Sequence, residues 1–385
     1  MVLNQDFFVP QYMQDFECIG KDCIDTCCIG WNVEIDKKTF KKYENSQNKK
    51  IKFISKKFLV KTDPNSDISY GMLADHNNCC PFLSQEKLCN AYSLLGKENL
   101  SIGCSTYPRV IKKFNKIGFI AGDLSCPEIA RLCLNNSNLK IKKMKQNKLP
   151  NIFNSKNVFS LEISKNIPDK TLGFIEKIFA QINFQNTLFE ALEQIIISYK
   201  KIYQNKDSKS YSKSQKEKIK NNSLHFETKI LANICFSNLK SQSRYTKICR
   251  KSADKSKFFK ICESEFIEKF TDTYRTKFNE FRKKNNFIFK NFFINEFIKN
   301  IEGLMSSDDF FDDFIREIIL FLSLTNFLLV CQLFEDKKKI TINCYVEVLS
   351  AVIKKIQSSQ QKKNIKSFLK KLDNNTLFKR LVDLY

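Results

Sequence analysis

Cysteine is the residue type whose number and spacing first point to chemistry in this sequence. Ten of the 15 cysteines lie in the first 133 of 385 residues, and the total is odd. They run Cys18, Cys23, Cys27, Cys28, then Cys79-Cys80-Pro81-Phe82-Leu83, Cys89, Cys104 and Cys126. Short spacings let one loop wrap several thiolates around a single centre, and soft thiolates select zinc or iron–sulfur clusters over hard cations. Only two histidines occur, His76 and His225, so mixed Cys/His zinc sites are mostly excluded and all-thiolate ligation is expected. The opening MVLNQDFFVPQYMQDF has no basic leader and carries an acidic residue by position 6, which predicts no secretory signal. A reducing cytoplasmic setting then makes the clustered cysteines metal ligands rather than disulfides. The expected ligands are Cys18, Cys23, Cys27, Cys28, Cys80, Cys89, Cys104 and Cys126, in one centre or two. Zinc suits a purely structural site, and an iron–sulfur cluster suits one that takes part in chemistry. Cys133, Cys235, Cys249, Cys262, Cys331 and Cys344 stand singly on helical patterns and read as ordinary core thiols.

The elements that must position these thiols change character near residue 135. Before it, short irregular segments carry the Gly and Cys residues. Asp36 reads as the N-cap of a short helix with Phe40 and Tyr43 on one face. Residues 79–92 read as two short strands around a polar turn, and residues 112–124 as a hairpin punctuated by Gly118 and Gly122. Ser125-Cys126-Pro127-Glu128 has the form of a capping box and starts a helix at Cys126. The polar stretch 136–168 reads as a connector. Helical patterns follow at roughly 169–183, 187–204, 223–238, 257–272, 275–303, 308–335, 341–357, 361–372 and 375–384, with a Ser/Lys-rich loop at 205–222. The expected fold class is mainly α: a Cys-rich domain with small β-hairpins (1–135), then an all-helical domain (169–385). Ile318 to Phe334 runs 17 residues without a charge but contains Ser323, Thr325, Asn326 and Gln332, so a buried core helix is expected and no membrane span.

The formal net charge is +24 and is unevenly placed. Residues 1–135 hold 18 Lys+Arg against 15 Asp+Glu, whereas residues 136–385 hold 47 against 26. Such an excess favours encounters with acidic surfaces, nucleic acid or anionic lipid. No nucleic-acid motif accompanies it, so a solvated Lys-rich surface is the plainer reading and a nucleic-acid partner is not expected.

The run Phe16-Glu17-Cys18-Ile19-Gly20-Lys21-Asp22-Cys23-Ile24-Asp25-Thr26-Cys27-Cys28-Ile29-Gly30-Trp31 resembles the opening motif of the flagellin lysine-N-methylase family. So do Cys80-Pro81-Phe82-Leu83, Leu88-Cys89, Cys104-Ser105-Thr106-Tyr107-Pro108-Arg109 and Ser125-Cys126-Pro127-Glu128-Ile129-Ala130-Arg131, in the family's order over about residues 12–135. The C-terminal half resembles the family by length and by the aromatic run Lys290-Asn291-Phe292-Phe293. The first half alone also resembles small CxxCxxCC-type zinc- or iron-chelating proteins. The doublet Cys79-Cys80 departs from the single cysteine usual there, which leaves open which thiol is the ligand.

The resemblance implies transfer of methyl groups from S-adenosylmethionine to lysine side chains of flagellin by a cytoplasmic enzyme carrying a [4Fe-4S] cluster. The nine glycines include no G-x-G cluster after a strand, so the common Rossmann-type donor loop is absent. The radical-SAM spacing C-x3-C-x2-C is absent too, because Gly30 stands where its third cysteine would fall. Methylating lysine needs a neutral amine, so a site must take a proton or depress the lysine's pKa by burial. Tyr107 and Glu128, next to presumed ligands, are candidate proton acceptors. Arg109 and Arg131 are candidates to pair with the donor's carboxylate or with the cluster's negative charge. Plainer roles compete in each case: packing for Tyr107, capping for Glu128, surface ion pairs for the arginines, and a place in the core for Trp31, the single Trp, against a stacking surface for adenine. The alternative functions are a non-enzymatic metal-binding protein with a zinc or iron centre, and a basic nucleic-acid-associated protein with structural zinc.

Overall fold

The structure is a computed structural model that describes residues 5–30, 33–67, 69–73, 79–114, 117–149, 160–162, 166–184, 188–203, 224–237, 239–240, 243–306, 310–334 and 339–357. The expected helices at 361–372 and 375–384, the loop at 205–222, Trp31 and His76 lie outside the described residues.

Two sheets position the cysteines. The larger has the order β7-β1-β6-β5-β8, built from β1 (Asp6–Pro10), β5 (Arg109–Lys113), β6 (Ile117–Gly122), β7 (Ile141–Lys145) and β8 (Ser160–Glu162). The expected hairpin is the antiparallel β5–β6 pair, with Arg109 opposite Gly122. All six residues of β6 are buried, as a central strand covered on both faces requires. β1 joins β6 in parallel, Phe8 beside Phe119, across more than a hundred residues of chain. β7, inside the stretch read as a connector, pairs antiparallel with β1. A Cβ on Gly118 would collide with the Phe7 ring and one on Gly122 with Ile129, so glycine permits both close approaches.

The smaller sheet, β2 (Val33–Ile35), β4 (Gly71–Leu73) and β3 (Leu59–Lys61), belongs to the thiol-bearing layer. Around it lie α1 (Lys37–Glu44), α2 (Lys49–Phe58), α3 (Asn90–Leu95) and α4 (Ile102–Thr106). Asp36 caps α1 as the sequence predicts, accepting from Thr39 N, and its other oxygen accepts from Ile102 N at the start of α4. This layer has its own small core: Cys28, Val33, Ile35, Phe40, Tyr43, Ile51, Ile54, Cys80, Phe82 and Ala91. The two strands expected over 79–92 reduce to single bridges, Ile29 to Cys79 and Leu83 to Cys89, because α3 begins at Asn90.

Beyond α5 (Pro127–Leu134) the chain forms α6 (Asp169–Phe184), α7 (Leu188–Tyr203), α8 (Leu224–Phe236), α9 (Arg244–Ser256), α10 (Glu263–Thr273), α11 (Asn279–Lys284), α12 (Phe287–Lys299), α13 (Phe310–Gln332) and α14 (Ile342–Gln357). The fold is mainly α with a small β component, as expected. The main core runs continuously from Phe7 through β6 and α5 to Ile356. The helix expected at 257–272 starts six residues later. Lys257 instead ends α9 in a left-handed conformation (φ 53°), and α10 follows Cys262. α9 was missed because its segment is strongly polar on average: its buried face is Thr246, Cys249, Ser252, Ala253 and Ser256 around a single Ile248, so its amphipathic pattern is not carried by large apolar residues. The expected helix 275–303 is broken at Asn285, after a π turn at Tyr274–Phe278. α13 is apolar and long enough to cross a membrane, yet 83% of its most apolar stretch is buried inside the protein, as expected of a core helix.

Candidate metal centre

Local structure brings the motif thiols into two neighbouring groups. In the first, Cys28 is buried and its thiol lies within hydrogen-bonding reach of Cys27, Cys80 and Cys89. Two features of the backbone make this meeting. Cys80 N donates to Cys28 O at 2.6 Å, tying the two cysteine segments side by side. Cys89 is the N-cap of α3, where the backbone N–H groups of Tyr92 and Ala91 reach its sulfur. Of the doublet, Cys80 is the one whose thiol meets Cys28, while Cys79 bridges Ile29 through its backbone. Cys104, in α4, lies within electrostatic reach of Cys80, Cys27 and Cys89.

The second group is Cys18, Cys23 and Cys126, each within electrostatic reach of the others. Cys126 is the N-cap of α5, with the N–H groups of Ile129 and Glu128 turned to its sulfur. The capping box expected at Ser125 is absent. Ser125 Oγ lies 3.1 Å from Tyr107 Oη instead, and its N–H donates to Asp123 Oδ1 at 3.0 Å. Tyr107 stands between the groups, within reach of both Cys126 and Cys27.

Acidities follow from this packing. The Cys28 thiol holds its proton among three neighbouring sulfurs, so its own pKa rises while that of Cys27 falls and that of Cys89 falls to about 6. Burial pushes Cys104 and Cys126 up to about 12. Burial likewise raises Tyr107 well above the ordinary phenol value, so the hydroxyl keeps its proton at neutral pH. Arg109 stacks over Phe16 at 4.7 Å, its Nε is buried with no hydrogen-bond partner among the described residues, and Cys18 and Cys126 oppose the lowering of its pKa by burial. Glu128 and Arg131 form a two-pronged pair with each other, at 2.6 and 2.8 Å, on α5.

The most telling contacts come from residues the sequence reading missed. Asp25, between Cys23 and Cys27, is 9% exposed and pairs with Lys354 of α14 at 3.1 Å and Arg244 of α9 at 3.4 Å. Lys354 Nζ also donates to Thr26 O at 2.7 Å, and Arg244 to Ser350 Oγ at 2.9 Å and to Glu347 O. Their separations along the chain, 219 and 329 residues, leave no local signal. A second bolt joins the halves at the end of β6. Asn295 of α12 donates to Gly122 O at 2.8 Å and accepts from Gly122 N, and Tyr12 donates to it too. Beside it, buried Lys299 lies 3.3 Å from Asp123 and 3.5 Å from Glu296. Three cysteines read as isolated also meet: Cys235, Cys249 and Cys331 are buried within reach of one another, with Tyr245 Oη 3.7 Å from Cys235 Sγ.

The donor set fits a soft metal or an iron–sulfur cluster: thiols only among the converging side chains, with Arg244, Lys354 and Arg109 nearby to offset thiolate charge. Among the described residues no three Cys, His, Asp or Glu side chains already stand in the tight geometry of a bound ion. The contacts around Cys28 nevertheless bring the Cys27, Cys80 and Cys89 thiols each within reach of it. Metal binding would draw them inward as their protons leave.

A thiol-rich layer bolted to an aromatic helical body is the class of protein that fold and site define. The helical body gives the family. The model of the FliB lysine N-methylase C-terminal domain matches residues 170–381, more than half of the chain, and the chain belongs to the flagellin lysine-N-methylase family. It is 32% identical over 129 residues to the lysine-N-methylases of Salmonella choleraesuis (strain SC-B67) and Salmonella typhimurium (strain LT2). Each match covers 33% of this chain and 32% of the relative, so the similarity spans about a third of those proteins' length. The flagellar biosynthetic protein FliU of Salmonella muenchen is similar at 32% identity over 129 residues, 33% of this chain and 76% of that protein. No solved structure matches the chain.

Proposed function

We propose that this protein is a cytoplasmic enzyme that methylates lysine side chains of flagellin, with S-adenosylmethionine as donor and a thiol-held [4Fe-4S] cluster. The observation that carries the reading is the family match over residues 170–381, and the converging thiols supply a donor set suited to the cluster. Relatives named lysine-N-methylase and flagellar biosynthetic protein support the reaction and the substrate. Cys27, Cys28, Cys80 and Cys89 would hold the cluster with Cys104 beside them, and when bound it supplies a polarising, redox-capable centre next to Tyr107. In the transfer, the lysine ammonium first gives a proton to solvent, the neutral nitrogen then forms a bond to the methyl carbon, and the sulfur–methyl bond breaks to leave S-adenosylhomocysteine. Tyr107 keeps its own proton, so as it stands it orients the amine by hydrogen bonding rather than by accepting that proton. Arg109, half-buried with an unsatisfied Nε, is the better placed of the two arginines for the donor's carboxylate, since Arg131 is engaged by Glu128.

The first test is the intact mass of flagellin from cells with and without the gene. Steps of about 14 Da per methyl that vanish on deletion support the reading, and identical masses with the protein expressed would sink flagellin as substrate. A second reading, structural zinc in a non-enzymatic protein, is favoured by the four-thiol set around Cys28, since closed tetrathiolate sites suit zinc. Stoichiometric zinc with neither iron nor sulfide after anaerobic purification would select it.

A further inference from the structure

α9 carries a stripe of cations that runs to the cysteine loop. Arg244, Lys247, Arg250, Lys251, Asp254 and Lys255 fall at positions i, i+3, i+6, i+7, i+10 and i+11, so they share one side of the helix. Five are basic and one is acidic. The last five line a shallow groove of about 500 Å³ on the surface, with Lys247, Lys251 and Asp254 exposed. The first, Arg244, turns inward and lies 3.4 Å from Asp25, between Cys23 and Cys27. At 1.5 Å rise per residue the stripe from Arg244 to Lys255 is about 16 Å long. One end therefore touches the loop that carries the thiols, and Lys247, Lys251 and Asp254 farther along face solvent, with Arg250 and Lys255 partly exposed beside them.

A basic surface repels a bare lysine, and residues 136–385 carry 47 Lys+Arg against 26 Asp+Glu. A target lysine approaches the thiol groups past this charge more readily where its own neighbourhood is acidic. From this complementarity and from the stripe's continuity with the cysteine loop we infer that the outer face of α9 is a docking surface for an acidic polypeptide segment, which brings a nearby lysine to the centre. This rests on the methylation reading and narrows it: the preferred substrate is a lysine with several Asp or Glu residues within about 16 Å of it on the substrate surface. The contact is a rim of opposed charges, which raises the association rate and fades with salt.

The test uses the full-length protein and two fluorescent peptides, one lysine followed by a run of Asp and Glu, and the same peptide with Asn and Gln in their place. Anisotropy at low and high salt gives affinities, and mass spectrometry gives methylation. The triple variant Lys247→Glu, Lys251→Glu, Lys255→Glu is compared with Lys52→Glu, Lys56→Glu, Lys57→Glu on α2, an equally large charge reversal away from the groove. The α9 variant is expected to bind the acidic peptide roughly tenfold more weakly at low salt and to raise its KM with kcat unchanged. The α2 variant and the amide peptide are expected to show no such loss. Equal affinity of wild type and α9 variant would overturn the inference. So would equal loss in both variants, or wild-type preference for double-stranded DNA over the acidic peptide. Selective binding of the acidic peptide with no methylation of any lysine substrate would instead sink the enzymatic reading and leave the docking surface standing.

Discussion

The thiol-bearing layer and the helical body are held together by different physics. The layer's own core has ten residues, of which Cys28 and Cys80 are themselves candidate ligands. The helical body packs ring against ring, with Phe293, Phe297 and Phe314 in mutual contact and Tyr345 between Phe281 and Phe289. Apolar burial is self-sufficient in the second region. In the first it is too small, and thiol contacts, the Asp36 bridge and cations reaching over from the helices make up the difference. A layer with so small a core leans on charge borrowed from the helices, while the aromatic body is packed by its own rings.

The sharpest way to break this contrast is to remove the metal proposed for the thiols. With the centre loaded, chelation is expected to abolish hydrogen-exchange protection across 33–104 while 287–357 stays protected. Simultaneous loss in both regions would show that they fold as one unit.

Phe292→Ala should act in the opposite direction. Phe292 is fully buried in α12, and its truncation is expected to cost about 4 kcal/mol in denaturant unfolding, with or without metal. A cost that appears only in the metal-free protein would place the body's stability in the layer.

Asp25→Asn tests the link between the regions. It leaves Lys354 and Arg244 buried against a neutral amide, for an expected loss of about 3 kcal/mol. Paired with Lys354→Met in a double-mutant cycle, it should show strong coupling, whereas additive effects would remove the electrostatic bridge from the account.

The smallest effect is a pH dependence. Burial raises the Glu296 carboxyl to about 7 from 4.5, with Lys299 opposing and Asp123 and Glu317 adding. The folded state therefore holds this proton more tightly than the unfolded chain. Its contribution favours folding below about pH 4.5 and is lost as pH rises through 7. Glu296→Gln is expected to flatten the fall in Tm over that interval, and an unchanged slope would assign it to other groups.

Much of this organisation was legible from the chain. Asp36 as a helix cap, the β5–β6 hairpin, α5 opening at Cys126 and the buried α13 all rest on local rules of capping, turns and periodicity. α9 was not, because its buried face is made of small and polar residues, nor was the break at Asn285, where the stop signal Arg282-Lys283-Lys284-Asn285-Asn286 was passed over in favour of the aromatic pattern on either side. The sequence also misjudged Ser125, whose capping signature was overridden by a contact with Tyr107.

Sequence alone determined which atoms are available: thiols at short spacings, almost no histidine, and a basic second half. Tertiary structure decided which of them meet. It divided the motif cysteines into two groups, gathered Cys235, Cys249 and Cys331, and brought Arg244 and Lys354 to Asp25. The reason is physical: ligand type and charge are properties of single residues. Proximity across hundreds of residues is a property of how helices and strands bury their apolar faces together.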